Sequence, residues 1–123
     1  MSEDALRTVE GTSWPIVLFV ELLGERAKAW SRALEEANII VLSEASILRA
    51  AFVVTSERPH VVLVASSLPS ERTQVVRDAA RDIGAEVLSL APDLAPSAVR
   101  SLVEKSLATV LAVRKSVHPP RPA

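Results

Sequence analysis

Arg58-Pro59-His60-Val61-Val62-Leu63-Val64-Ala65-Ser66-Ser67-Leu68-Pro69 decides the fold of this chain. Val61 to Ala65 is an unbroken apolar run with no polar alternation, the pattern of a strand covered on both faces. Ser66-Ser67 reads as a loop, and Leu68-Pro69 opens the next element. That element is a helix over 71–83, with Val75, Val76, Ala79, Ala80 and Ile83 spaced as one apolar face and Gly84 placed as its C-terminal cap.

Working outward, the same alternation recurs on either side. Ile16 to Val20 follows Trp14-Pro15 and is a second buried strand. Glu25 to Ala37 changes to helical spacing, with Ala29, Trp30, Ala33, Leu34 and Ala37 on one stripe and Asn38 as a left-handed cap. Ile39 to Leu42 is a further strand. A helix over 45–56, capped by Ser43 or Ser46, presents Ile47, Leu48, Ala51, Phe52 and Val54 as its buried side, and Pro59 limits its extent. Beyond Gly84, Ala85 to Leu90 is the last strand. The final helix runs from Pro96 to Arg114 with Val99, Leu102, Val103, Leu107, Val110, Leu111 and Val113 as its apolar set. Strand and helix alternating four times with short connections predict a three-layer α/β/α sandwich on a parallel sheet of about four strands.

Composition narrows the function. A chain of 123 residues suffices for one core. Aromatic residues are only 3%, so Val, Leu, Ile and Ala must fill that core. A net charge of −1 with no basic stripe argues against a nucleic-acid partner, whose phosphates demand a cationic footprint. The longest apolar run, Pro15 to Val20, is too short for a membrane span, and Ser2-Glu3-Asp4 is acidic where a secretory signal is basic. A cytoplasmic protein without a membrane partner is expected. The chain has no cysteine, which removes disulfides, thiolate catalysis and zinc-thiolate sites.

Three segments carry a resemblance to the receiver domains of response regulators. Arg58 to Pro69 is similar to that family's third strand, where Arg-Pro-Asp, four apolar residues and a phospho-acceptor Asp precede Leu-Pro. Val17 to Leu23, continuing to Arg32-Ala33-Leu34-Glu35-Glu36-Ala37-Asn38, resembles its first strand, acidic cluster and first helix. Gly84 to Pro92 resembles its last strand. The resemblance implies a flavodoxin-like order of strands and a role in bacterial-type signal transduction.

The departures from the family pattern bear on chemistry. Ala65 stands at the phospho-acceptor position, and its methyl group cannot take a phosphoryl group. Of the acidic pair only Glu21 is present, since Leu22 occupies the second position. A hard divalent cation needs several oxygen ligands, so one carboxylate does not hold it. Ala91 replaces the family's lysine, and the interval from Pro69 to Gly84 accommodates one helix and nothing more. One strand-helix unit of the family is therefore missing.

No catalytic, metal or cofactor constellation emerges. His60 and Ser66 are separated by a strand, about 20 Å at 3.3 Å per residue, and His118 lies in the tail. Gly11, Gly24 and Gly84 form no phosphate loop. Glu21 reads as an acidic remnant, or as a solvated carboxylate near a helix N-terminus. Ser66 and Ser67 read as a turn, or as a place for modification or an anion. Leu22 and Leu23 are either an exposed partner patch or filler for the space the metal and carboxylates leave.

The expectation is a non-enzymatic, phosphorylation-independent interaction module. Residues 1–14 form a loose lead-in, 15–114 the receiver-like domain, and 115–123 a proline-rich tail or linker. The partner is another protein or a second copy of the chain, met through Leu22, Leu23 and the last helix at Val110, Val113 and Val117. The alternative is a small-molecule-sensing domain using the loops at the carboxyl ends of the strands.

Overall fold

A computed structural model of the chain describes residues 14–117. The expected residues 1–13 of the lead-in, His118, and the tail from 118 onward lie outside the described residues. The elements alternate as β1 (Ile16–Val20), α1 (Glu25–Glu35), β2 (Ile40–Glu44), α2 (Ile47–Glu57), β3 (Val61–Ala65), α3 (Ser70–Asp82), β4 (Glu86–Leu90) and α4 (Pro96–Val117). All strand pairs are parallel, in the order β2-β1-β3-β4. Each strand has five residues, so the sheet is narrow and its two central strands are almost fully enclosed.

The period of two along β1 and β3 divides the core. Val17, Phe19, Val61 and Leu63 point to one side and pack with Trp30 and Leu34 of α1 and Val99, Val103 and Leu107 of α4. Leu18, Val20, Val62 and Val64 point to the other and meet Ile47, Ala50 and Val54 of α2, Val76 and Ala80 of α3, and Ile83 just after it. These two apolar layers make the expected α/β/α sandwich.

Two helices end by the same device. Asn38 (φ 63°) and Gly84 (φ 72°) adopt the left-handed conformation. After α1 the Ile39 N–H donates to the Leu34 carbonyl and the Asn38 N–H to that of Glu35. After α3, Ala85 donates to Ala80 and Gly84 to Arg81. This six-to-one and five-to-two pattern satisfies the last carbonyls and turns the chain into the next strand.

Several expectations require correction. Leu48 and Phe52 are 82% and 75% exposed, whereas the buried stripe of α2 is Ile47, Ala50 and Val54. With Ile47, Ala50 and Val54 turned toward the sheet, the helical period leaves Leu48 and Phe52 pointing away from it. Val75, Leu102, Leu111 and Val113 are also exposed. Val110 belongs to the core, with 1% exposure, so it is not a surface on which a partner lands. The last helix continues through Val117, beyond the expected end at Arg114, and Lys115 to Val117 are helical rather than an extended tail. Val117's side chain lies outside the described residues.

Candidate functional site

At the carboxyl ends of β1 and β3 the connections leave in opposite directions, to β2 on one side and β4 on the other. Open α/β sheets form a crevice at such a point. Here it is a cleft of about 140 Å³, walled by Glu21, Leu22, Trp30, Ala65, Ser67 and Leu90 among others. Trp30 is held by its indole N–H, which donates to the Leu94 carbonyl at 2.9 Å.

Glu21 sits in the turn that ends β1, in the left-handed conformation (φ 54°) uncommon for a side chain of its size. Its N–H donates to the Glu44 carbonyl at 2.8 Å. Oxygen Oε2 of its carboxylate accepts from the Ile47 N–H at 3.3 Å and from Arg72 Nη2 at 3.0 Å. Glu44 in turn accepts the Ser46 N–H at 3.0 Å. The two carboxylates thus satisfy the first amides of α2, a task the Ser46 hydroxyl does not perform.

Glu21 lies at the strand end where the sequence put it. The carboxylate lines the crevice, yet it is committed to a helix N-terminus and to a guanidinium. Arg72 was missed because its partner lies 51 residues earlier. Its position near the start of α3, at the carboxyl end of the sheet, is the signal that pointed there.

Ala65 is half-buried at the end of β3 and lines the cleft. Leu22 and Leu23 divide between their two readings: Leu22 packs against the core, while Leu23 is 69% exposed. Ser66 and Ser67 occupy a tight turn closed by the Leu68 N–H to the Ala65 carbonyl at 3.1 Å. His60 lies at the opposite end of β3 from Ser66. Its Nδ1 accepts the Ile16 N–H at 3.1 Å, and burial, then the charge of Arg114, holds its pKa below the usual value.

The residues present do not fit the divalent ion that the receiver resemblance implies. Glu21 contributes the carboxylate of this crevice, Leu22 and Ala65 contribute none, and the Arg72 cation already faces Glu21. Among the described residues no group of three His, Cys, Asp or Glu side chains converges to hold a metal. Among them, too, no helix is long and apolar enough to cross a membrane.

No protein-family model and no curated protein matches the chain. Among solved structures it is similar to a response regulator from Desulfuromonas acetoxidans, at TM-score 0.55 and 15% sequence identity. The likeness covers 78% of this chain and 98% of that one. With its sheet order, the chain has a flavodoxin-like α/β fold of the kind that response regulator uses.

Proposed function

We propose that this chain is a degenerate receiver: a non-enzymatic module that binds another protein, in signalling or regulation in the cytoplasm, without phosphorylation. The observation that carries this reading is the crevice at the end of β3. Ala65 stands at the acceptor position, and the Glu21 carboxylate is ion-paired with Arg72. Arg72, itself half-exposed, already pairs with the one carboxylate a metal would need here, and the methyl group of Ala65 offers no oxygen to accept a phosphoryl group. Leu23, exposed at the cleft mouth, and Val113 on α4 are the candidate contacts that remain at the surface. The partner is a different protein or a second copy, and neither nucleic acid nor membrane.

Trp30 lines the cleft and supplies the test. Titrating Mg²⁺ at constant ionic strength is expected to leave its emission unchanged. A saturable change that disappears in an E21Q variant would sink this reading.

A small-molecule sensor is the second reading, favoured by the cleft itself with Arg26 at its edge. The volume of about 140 Å³ is well under the ~300–1,000 Å³ of ordinary ligand pockets. A metabolite that raises the melting temperature in proportion to its concentration would support that reading, because ligands specific for the folded state stabilise it.

A further inference from the structure

Leu48 and Phe52 stand one turn apart on α2 and are the two most exposed large apolar side chains among the described residues. Such residues, when grouped, mark contact surfaces. Their grouping follows from the way α2 and α3 lie together. Arg72 of α3 reaches Glu21 at the end of β1, and β1 lies on the α2 side of β3. The flank of α3 carrying Arg72, Val75 and Ala79 therefore faces α2. These residues each precede a buried position, namely Thr73, Val76 and Ala80. Two parallel helices on one sheet face meet through opposite flanks, so the α2 residues that follow its buried positions face α3: Leu48, Ala51 and Thr55. Phe52 adjoins them on the outer side. Leu48, Phe52 and Val75 thus rim one seam, floored by the half-buried Ala51 and Ala79.

The helices are also level with each other. Ile47 and Arg72 both bond Oε2 of Glu21, which sets the first turns of α2 and α3 side by side. Phe52 and Val75 then stand at similar heights, as do Arg49 and Glu71. Among the described residues neither Arg49 nor Glu71 has an ion-pair partner. Arg49 stands on the outward side of α2, and Glu71 and Asp82 on that of α3, where Asp78 is already paired with Arg81.

We propose that this seam is where a second copy of the chain docks. A two-fold axis along the helix pair lays α2 of one copy over α3 of the other and preserves height. Phe52 then meets the partner's seam at Val75, and Arg49 meets the partner's acidic flank at Glu71, twice in each dimer. A surface complementary to itself in both shape and charge is what an isologous contact requires. This surface is separate from Leu23 and α4, and the inference holds whether or not the crevice is inert.

The test is the mass of the full chain in solution by light scattering after size exclusion, over a range of concentrations. A dimer is expected, and F52E is expected to shift it to monomer with its melting temperature little changed. R49E is expected to weaken the dimer at least tenfold, and R49E combined with E71R to restore it. A native chain that stays monomeric at every concentration overturns the proposal. So does a dimer indifferent to F52E, or one that the double charge reversal fails to restore.

Discussion

Glu21 joins the ends of β1, α2 and α3 through one carboxylate, and its worth is measurable. E21A removes a capping acceptor for Ile47 and a half-exposed ion pair with Arg72. Caps contribute about 1 kcal/mol and surface pairs less, so a loss of ~1–1.5 kcal/mol is expected in urea unfolding. His60 supplies a second residue-level test. Its folded pKa lies below the usual 6.5, through burial first and then Arg114. The unfolded chain thus takes up the proton at higher pH than the folded one, and stability falls as pH drops through about 6.5 toward the folded value. Above that range the imidazole is neutral in both states and has no effect on the pH slope. H60Q is expected to flatten the slope of stability between about pH 7.5 and 5.5, and an unchanged slope would show that other groups set it. Ala65 and Glu21 were legible as single positions in a spaced pattern. Arg72 was not, because its partner lies 51 residues earlier and its place near the start of α3 fixes only the end of the sheet it occupies.

Element by element, the strands were the easiest to read. β3 lies where its apolar run placed it, and β2 and β4 differ from expectation only at their ends. Helix existence was equally plain, but the direction each helix faces was less so. In α2 the run Ile47-Leu48-Arg49-Ala50-Ala51-Phe52-Val53-Val54 is apolar almost all round, so periodicity alone could not choose its core side. Contact with the sheet chose the smaller residues at position 50. The caps, by contrast, followed from residue type: Asn38 and Gly84 each accept the left-handed turn. A methyl group added at Gly84 would have ordinary van der Waals room, 3.7 Å from Arg114 Cγ. The cost of G84A is therefore conformational, about 1–2 kcal/mol, read as a lower denaturant midpoint with an unchanged slope.

At the scale of the whole molecule, the sheet closes on four strands, and the interval between Pro69 and Gly84 already required this. Helices α2, α3 and α4 all carry apolar side chains at the surface. Fold and chemistry separate here. The flavodoxin-like order of strands is kept on four strands, while the crevice they build holds a methyl group, a leucine and a carboxylate paired with Arg72. The most direct measurement is the intact mass of the chain after incubation with acetyl phosphate, with and without Mg²⁺. An unmodified mass in both samples is the predicted result. A Mg²⁺-dependent phosphate adduct would show that the crevice performs the transfer chemistry, and would contradict the account.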